Sequence, residues 1–518
     1  MSMKGDLLSR RGNKAGNNPQ AVAEAEMLSE EIPNDLSFEA FVSDPYAEAH
    51  NALPRNQVLA LDCLGLRWDG QTLVVGAPKE SWDEVKALAA SLDIKVKLIE
   101  ASRAEIREAL SLTVNIEKSN IGQLQISATE AGEAPISNLV QQIIERAFLE
   151  RASDIHFESY EDHVLVRARI DGRLRNLLQL PARLAPAISS RIKVLSKMNI
   201  VERRRPQDGQ FTAVVDGRTL DIRVASVATV FGEKIVLRLL DGRRPSVDLE
   251  SLGMGAHQLE IFTKMITANN GLVLVAGPTG SGKTTTLHSA IRAVAVEHKN
   301  AVTIEDPVEY VVPGITQIPV SESNNSGFAV QLRAVLRQDP DIILVGETRD
   351  AETARISVQA ALTGHLVFTS IHATDSVGAL YRLLQMDIEP HLVASSVRGV
   401  VSQRLIRKNC RFCTVKYNAT TEEKVTLRAY GFSTDVLAKG VGCTLCGGSG
   451  YRDRIAAYQI LTMNESLTEL VVSRPDPHVF RKAASKAGMT TMDHEAVRMA
   501  VAGITTLDEA MTLLVGNE

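Results

Sequence analysis

The sequence has few aromatic residues, no excess of basic residues and no long apolar run. Aromatic residues make up 4% of its 518 residues. The 57 lysines and arginines are outnumbered by 62 aspartates and glutamates, which gives a formal net charge of −5. Proteins that hold nucleic acid usually carry a basic excess, interleaved with aromatic residues where they bind single strands. The composition therefore disfavours direct binding or translocation of nucleic acid.

Segments that would enter a membrane are also missing from the sequence. No stretch approaches the ~18 consecutive apolar residues that a membrane-spanning helix needs. Residues 1–20 carry charges but lack the apolar centre of a signal peptide. We therefore expect a cytoplasmic protein whose membrane association, if it has one, is indirect. The length predicts about three or four globular domains.

Cysteine is scarce, and four of the five cysteines form two Cys-x-x-Cys pairs. The pairs are Cys410 with Cys413 and Cys443 with Cys446. In a reducing compartment this pattern favours a metal site over disulfides. Four thiolates suit a structural, tetrahedral zinc ion that has no open position for catalysis. We expect residues 409–454 to form a zinc-binding arm, with Cys63 outside it.

The most specific motif is a phosphate-binding loop, G-x-x-x-x-G-K-T, at residues 277–284. It follows the apolar run Gly271–Ala276 and precedes a helix-compatible stretch, as the motif requires. Backbone N–H groups of such a loop surround phosphates, Lys283 reaches the β- and γ-phosphates, and the Thr284 hydroxyl binds Mg²⁺. We therefore expect ATP and Mg²⁺ as ligands. The candidate nucleotide-binding residues are Gly277, Pro278, Thr279, Gly280, Ser281, Gly282, Lys283, Thr284 and Thr285.

Acidic residues follow two further apolar runs. Glu347 comes just after Ile342–Val345, and the acidic group at residues 305–309 comes after Ala301–Ile304. Because the carboxyl ends of parallel strands meet at one edge of a sheet, both groups are expected beside the phosphate site. Glu347 is the first candidate for holding Mg²⁺, and a carboxylate of the acidic group could polarise the attacking water.

Alternating strand and helix periods predict a multidomain α/β protein in which the P-loop core has a parallel sheet and crossover helices. The expected order is a mobile leader at 1–50, an N-terminal α/β domain at 51–115, a linker at 116–135, a second α/β domain at 136–243, the P-loop core at 244–408, the cysteine arm at 409–454 and a helical subdomain at 455–518. The other expected strands are Leu73–Val75, Val96–Ile99, His163–Arg169, Thr219–Val224, Lys234–Leu240 and Leu366–Ser370. The expected helices are Ala21–Leu28, Trp82–Ser91, Arg103–Leu110, Ile136–Arg151 and one that begins near Thr506.

The motifs GPTGSGKTTT, TIEDPVEY, LRAVLRQDPDIILVGETRD, GHLVFTSIHATD and SQRLIR resemble, in order and spacing, those of the type II secretion and type IV pilus assembly ATPases. The similarity continues upstream through ASDIHFE, RIDG, ERRRPQDGQF, DIRVAS and GEKIVLRLLD, and downstream through the cysteine pairs, over roughly residues 55–515. The resemblance implies a RecA-like P-loop domain, a preceding PAS-like α/β domain, a small N-terminal domain and a zinc arm.

The resemblance also implies roles for particular residues. Glu309 matches the family's general base and Glu347 the residue that helps to hold Mg²⁺ and water, although the two roles are interchangeable here. Gly346 stands where other P-loop enzymes have an aspartate, which is usual in this family. His365 and His372 match a histidine box that is thought to sense the nucleotide or to link subunits.

The family carries arginines upstream of the P-loop core that reach the phosphates. Arg223 and Arg238 match two of them, and the resemblance implies that both supply positive charge as the γ-phosphate departs. A third family arginine follows the PQDG sequence, but here that position is Gln210. Three arginines cluster upstream of it at residues 203–205, and whether one of them replaces the missing contact stays open.

The implied function is that of a cytoplasmic homohexamer, peripheral at the inner membrane, which converts ATP hydrolysis into domain rotation. It would power type IV pilus assembly through an inner-membrane platform protein, and residues 51–115 would bind a membrane-associated docking protein. The zinc arm occurs in assembly and secretion ATPases rather than retraction ATPases.

Two alternatives stay open: a type II secretion or DNA-uptake pseudopilus ATPase, and a nucleotide-switched scaffold without turnover. The scaffold would not need to keep Lys283, Thr284, Glu309 and Glu347.

Overall fold

The structure is a computed structural model that describes residues 46–107, 109–110, 134–215, 217–240, 247–320 and 327–515. The expected helix at Ala21–Leu28, with most of the leader and of the linker at 116–135, lies outside the described residues. The chain divides into two compact units. One lies within residues 111–239, and the other combines residues 44–110 with residues 240–518.

Residues 46–110 form a small α/β layer, called here the N-terminal subdomain. Its elements are α1 (Ala47–His50), α2 (Arg55–Ala60), β1 (Leu64–Asp69), β2 (Thr72–Ala77), α3 (Trp82–Ser91) and β3 (Lys95–Glu100). β2 pairs with β1 antiparallel and with β3 parallel. Helix α3 presents Val85 and Ala89, one turn apart, to the core. The two expected strands and the expected helix at α3 are confirmed, and residues 103–107 and 109–110 are helical as expected.

The unit at residues 111–239 is an antiparallel sheet covered on one face by helices. Its elements are α4 (Ala134–Leu149), β4 (Ala152–Ser159), β5 (His163–Ile170), β6 (Arg173–Pro181), α5 (Ala185–Leu195), β7 (Gln207–Val215), β8 (Arg218–Thr229) and β9 (Gly232–Leu240). The strand order is β6-β5-β4-β9-β8-β7. Strand β8 alternates strictly between buried and exposed residues because one face of the sheet packs on α4 and α5. The strands expected at β5, β8 and β9 are confirmed, and α4 begins two residues before the expected helix.

The P-loop core is a seven-stranded sheet with helices on both faces. Its elements, in chain order, are α6 (Ala256–Ile266), β10 (Gly271–Ala276), α7 (Lys283–Val294), β11 (Ala301–Glu305), β12 (Thr316–Pro319), α8 (Phe328–Val335), β13 (Ile342–Val345), α9 (Ala351–Leu362), β14 (Leu366–Ile371), α10 (Ser376–Gln385), α11 (Pro390–Ser396) and β15 (Val397–Asn409). β10, β11, β13 and β14 are buried along their whole length, as expected of parallel strands covered on both faces.

The chain after the core forms the cysteine arm and then returns to the same sheet. The elements are β16 (Thr414–Asn418), α12 (Thr421–Ala429), β17 (Val436–Gly440), β18 (Tyr451–Thr462), α13 (Glu465–Val472), α14 (Pro477–Lys486), α15 (Met492–Val501) and α16 (Leu507–Val515). β18 pairs antiparallel with β15 at one end of the strand order β12-β11-β13-β14-β10-β15-β18. The segment expected to be helical therefore starts within a strand. Helix α16 carries Asp508 and Glu509 in its first turn, as expected.

Candidate nucleotide site and metal centre

The phosphate-binding loop joins strand β10 to helix α7, and two of its glycines fit its shape. Gly282 has φ +89°, a left-handed conformation that residues with a Cβ atom disfavour. A Cβ atom on Gly277 would lie 2.5 Å from the carbonyl oxygen of Gln403 on β15. The side-chain amide of Gln403 also donates to the carbonyl oxygen of Ser281 at 2.8 Å. Strand β15 therefore holds the phosphate-binding loop in place through Gln403.

The ammonium group of Lys283 lies against the loop itself. It donates to the carbonyl oxygens of Gly277 at 2.9 Å and Pro278 at 3.0 Å. Burial lowers the pKa of Lys283, and the nearby charge of Glu347 acts in the opposite direction. Thr284 and Thr285 follow in the first turn of α7 and are partly exposed. A phosphate that entered the loop would meet the lysine charge and the helix N-terminus together.

Glu347 follows strand β13, and only β14 separates that strand from the P-loop strand β10. His372 Nε2 lies 2.8 Å from one of its carboxylate oxygens. Arg349 Nε donates to the other oxygen at 2.8 Å. The side chain of Glu347 is 17% exposed, so its carboxylate is held by Arg349 and His372 but stays open to a ligand.

Gly346, the residue before Glu347, lies so close to β11 that a side chain there would be tightly packed. Its N–H donates to the carbonyl oxygen of Ile304 at 2.7 Å. A Cβ atom at this position would lie 3.0 Å from that same oxygen. The Ser370 hydroxyl donates to the Gly346 carbonyl oxygen at 2.6 Å from the other side. The turn is therefore clamped between β11 and β14, which aims Glu347 at the strand ends.

The acidic group at residues 305–309 splits into buried and exposed carboxylates. Glu305 ends strand β11 and is 3% exposed. Asp306 is exposed and lies 3.7 Å from Arg349. Glu309 is exposed on the loop that follows. Of the two glutamates, only Glu309 is open to solvent and so to an attacking water.

The two matched histidines lie at opposite ends of strand β14. His372 follows the strand at its carboxyl end and contacts Glu347. His365 precedes the strand, and its Nδ1 lies 2.9 Å from the carbonyl oxygen of Ala360 at the end of helix α9. Of the two histidines, only His372 therefore lies at the carboxyl ends of the strands, where the P-loop and Glu347 lie.

Arg223 and Arg238 lie in the unit at residues 111–239, on one face of its sheet. They line a cavity of about 510 Å³ together with Asp154 and Gln210. Arg238 Nε donates to Asp154 at 3.0 Å, and Gln210 stands directly opposite Arg223 in the β7–β8 register. The position that lacks the family arginine thus adjoins a matched one. Arg203, Arg204 and Arg205 are exposed residues before β7, outside the residues that line the cavity.

The four paired cysteines come together into one buried cluster. Their sulfur atoms all lie within 4.8 Å of one another. The distance is 3.8 Å from Cys410 to Cys443, 3.9 Å from Cys413 to Cys446 and 3.8 Å from Cys443 to Cys446. A tetrahedral zinc ion with four sulfur ligands places the sulfurs roughly 3.8 Å apart, so the cluster fits that ion.

Backbone groups around the cluster support thiolate ligands. The N–H groups of Gly442, Cys443 and Gly450 donate to cysteine sulfur atoms at 3.2–3.3 Å. Cys63 lies apart from the set, and burial raises its pKa to about 11, which keeps it a neutral thiol.

The N-terminal subdomain packs directly on the residues between the paired cysteines. Arg411 forms an ion pair with Glu105. The Thr444 hydroxyl donates to the carbonyl oxygen of Leu66 at 3.3 Å and also contacts His50. Phe412 and Leu445 are buried in the same apolar cluster as the core of the subdomain. The cysteine arm and the N-terminal subdomain therefore share one core.

Sequence reasoning missed several residues of these sites. Arg349 bridges Glu347 and Asp306, and Asp154 holds Arg238. His288 contacts Glu305 from helix α7. The charge and position of Arg349, two residues after Glu347, were visible in the sequence. The partners of Asp154 and His288 depend on strand register and helix packing, which the sequence does not display.

Comparisons with known proteins agree on one family. Residues 129–512 match the family described as "Type II/IV secretion system protein". The chain is 43% identical over 378 residues to the "Type II secretion system protein HxcR" of Pseudomonas aeruginosa, covering 73% of this chain and 77% of that protein. It is 39% identical over 465 residues to the "Type IV pilus assembly ATPase PilB" of Thermus thermophilus, covering 88% of this chain and 51% of that protein. The chain therefore belongs to the type II/IV secretion system ATPase family.

Solved structures show the same fold. The Legionella pneumophila ATPase DotB matches with a TM-score of 0.55 at 20% identity, covering 73% of this chain and 96% of that one. The pilus retraction motor PilT with bound ADP matches with a TM-score of 0.50 at 26% identity, covering 72% and 96%. The expected α/β architecture with a P-loop ATPase domain is thereby confirmed. Within the described residues, no helix combines the length and apolar character needed to cross a bilayer.

Proposed function

We propose that this chain hydrolyses ATP at the P-loop and works as a homohexamer whose domain rotation powers type IV pilus assembly at the inner membrane. The observation that carries the ATPase half is that the P-loop with Lys283 follows β10 and Glu347 follows β13, so that both lie at the carboxyl ends of parallel strands that only β14 separates. Membership of a family with secretion and pilus ATPases supports it.

Each group at this edge has a definite task in phosphoryl transfer. Lys283 exchanges its two carbonyl contacts for the β- and γ-phosphate oxygens, and the loop amides bind the same phosphates. Thr284 and Glu347 would hold Mg²⁺, which neutralises charge that develops on the phosphates. Glu309 takes the proton of the attacking water, or Glu347 does, since either carboxylate reaches solvent.

Residues outside the loop complete the proposal. Arg223 and Arg238 supply positive charge to the departing γ-phosphate, and both line one cavity on the same face of the sheet. His372 reports the nucleotide state, since Mg²⁺ at Glu347 would compete with its 2.8 Å contact. His365, at the other end of β14, would link subunits instead.

The domain boundaries and the metal belong to the same proposal. Residues 51–115 dock on a membrane-associated protein, residues 136–243 rotate against the core at 244–408, and an inner-membrane platform protein receives the motion. The protein thus works as a cytoplasmic, peripheral component. Cys410, Cys413, Cys443 and Cys446 would hold zinc, because their spacing fits a four-sulfur site.

Two other functions have observations in their favour. The chain is 43% identical to a type II secretion protein, which favours a secretion or pseudopilus ATPase with the same chemistry. The alignment with the Thermus pilus ATPase over 88% of this chain supports pilus assembly. A nucleotide-switched scaffold without turnover ranks last, because Lys283 and both candidate carboxylates are present.

The test is steady-state ATPase activity of the wild type and of Glu347→Gln as a function of protein concentration, with mass followed by light scattering. We expect specific activity to rise as the hexamer forms, and Glu347→Gln to bind ATP while turnover falls by roughly 10²–10³-fold. The matched control Glu352→Gln changes an exposed carboxylate on α9 and should turn over normally. A hexamer with no wild-type turnover would favour the scaffold.

A further inference from the structure

Helix α7 carries a buried histidine that the phosphate chemistry does not use. His288 lies four residues after Thr284, and therefore on the same face of the helix one turn below it. Its side chain is 2% exposed, and that of Glu305 is 4% exposed. His288 Nε2 lies 2.9 Å from Glu305 Oε2. This contact joins the helix that binds phosphate to the strand that starts the acidic loop.

The carboxylate of Glu305 collects donors from three elements. Besides His288, it accepts from the Thr303 hydroxyl at 2.6 Å and from the Gln317 amide on β12 at 2.9 Å. Burial raises the pKa of Glu305, but these hydrogen bonds outweigh burial and hold the pKa below its ordinary value. Glu305 is therefore an ionised, saturated group that organises its neighbours. It is not free to act as the general base.

Gln317 links Glu305 to the loop that bears Glu309 through hydrogen bonds to both. Its amide nitrogen also donates to the carbonyl oxygen of Tyr310 at 3.1 Å, and its amide oxygen accepts from the Val312 N–H at 2.6 Å. The Tyr310 ring packs edge-on against the His288 ring, with centroids 4.6 Å apart. The residues directly after Glu309 are thus tied back to His288 by two routes.

We infer that His288 is a positioning residue for the hydrolysis proposed above: through Glu305 and Tyr310 it fixes the Glu309 loop relative to the phosphate-binding helix. The geometry of His288 supports this role. Among the described residues its Nδ1 has no hydrogen-bond partner, so the hydrogen bond of the ring goes to Glu305, and Tyr310 packs against the same ring. Water attack depends on placing a carboxylate to within a fraction of an ångström, whereas nucleotide binding depends on the P-loop.

The inference rests on the proposed function, and a kinetic double-mutant cycle separates the two. His288→Phe keeps a ring for Tyr310 but removes the donor, and we expect kcat to fall by roughly 10-fold while KM for ATP changes less than twofold. His288→Gln retains a donor and should recover most of kcat. The control His257→Phe changes an exposed histidine on α6 and should match wild type.

The decisive comparison uses Glu309→Gln as the background. If His288 acts through Glu309, then His288→Phe causes little further loss there. A full 10-fold loss in that background, or an undiminished kcat in His288→Phe alone, would overturn the inference. If Glu309→Gln itself turns over normally, the proposed role of Glu309 has failed instead.

A measurement without turnover keeps the inference testable in every case. Amide hydrogen exchange of the full-length protein should speed up across residues 306–314 in His288→Phe and stay near wild type in His288→Gln and His257→Phe. Unchanged exchange in His288→Phe would show that the loop does not depend on His288. Circular dichroism of the same samples confirms that each variant is folded.

Discussion

The candidate nucleotide site and the tetracysteine centre lie in the same compact unit, but the tetracysteine centre is covered by a segment that lies at least 300 residues before it in the chain, residues 46–110. The P-loop takes its backbone amides, lysine and threonine from residues 277–284, and its other groups follow neighbouring strands. The tetracysteine centre joins two Cys-x-x-Cys segments, and residues 46–110 pack on it. A site made from one local motif can be recognised in the sequence, whereas the covering of a site depends on long-range packing.

The two regions also differ in what their contacts do. At the candidate nucleotide site, Lys283 contacts backbone carbonyl oxygens and Glu347 contacts His372, and the proposed ligands would replace these contacts. At the tetracysteine centre, all four cysteines are buried, and the residues between them contact the N-terminal subdomain. We therefore expect changes at the first region to affect turnover and changes at the second to affect stability and order.

The largest expected effect belongs to the nucleotide edge. Lys283→Ala should lower ATP turnover by at least roughly 10²–10³-fold and weaken nucleotide binding, because the phosphates lose their only loop cation. The measurement is steady-state ATPase activity with equilibrium binding of a fluorescent nucleotide. Lys264→Ala, which removes an exposed lysine on α6, is the control. Normal turnover in Lys283→Ala would mean that the motif is not the catalytic nucleotide site.

A smaller effect on turnover but a large one on stability is expected from the metal centre. Cys443→Ser should lower the zinc content from about one ion per chain and reduce the unfolding midpoint by roughly 5–10 °C. Amide exchange in β1 and β2 should rise, because Thr444 and Leu445 lose their fixed position. ATP binding should persist.

Cys63→Ser is the matched control, since Cys63 is buried in the same apolar cluster but lies outside the four-sulfur set. It should leave the zinc content unchanged. If Cys443→Ser loses its metal while exchange in residues 64–77 stays as in wild type, the N-terminal subdomain is ordered independently of the metal. The metal would then not be what orders the covering of the tetracysteine centre.

The smallest expected effect concerns the ion pair between Glu105 and Arg411, which joins the N-terminal subdomain to the cysteine arm. Burial alone would raise the pKa of Glu105, but hydrogen bonds from Ser102 and Arg411 leave it below its ordinary 4.5. A lowered folded-state pKa gives stability that is present above pH 4.5 and is lost as the pH falls through the folded-state value. The Arg411 side chain is 61% exposed, so solvent screening limits the pair to about 0.5–1 kcal/mol.

Urea unfolding of Glu105→Gln and wild type at several pH values measures this contribution. The difference in unfolding free energy should be present at pH 7 and shrink below pH 4.5. Glu84→Gln, an exposed carboxylate on α3, should show no such difference. A constant difference at all pH values would show that Glu105 stabilises the contact through shape and not through charge.

Local patterns predicted the strands of the core well and the edges of the sheet poorly. β10 and β13 have the expected bounds because their apolar runs are buried on both faces. β12 and β18 were not expected. β12 is short and partly exposed, so it has no apolar run, and β18 begins with polar residues that pair with β15. Edge strands are defined by their partners, and a single sequence does not state the partners.

The sequence by itself determined the phosphate loop, the strand that precedes it, the glutamate after β13 and the four cysteines, because short-range geometry forces each of those residue patterns. Only the tertiary structure decided that Glu305 is buried by His288 and Gln317, that His365 and His372 lie at opposite strand ends, and that the N-terminal subdomain covers the cysteine arm. Each of these depends on contacts between residues far apart in the chain. The local sequence allows several such pairings, and packing and hydrogen-bond satisfaction in the folded chain select one of them.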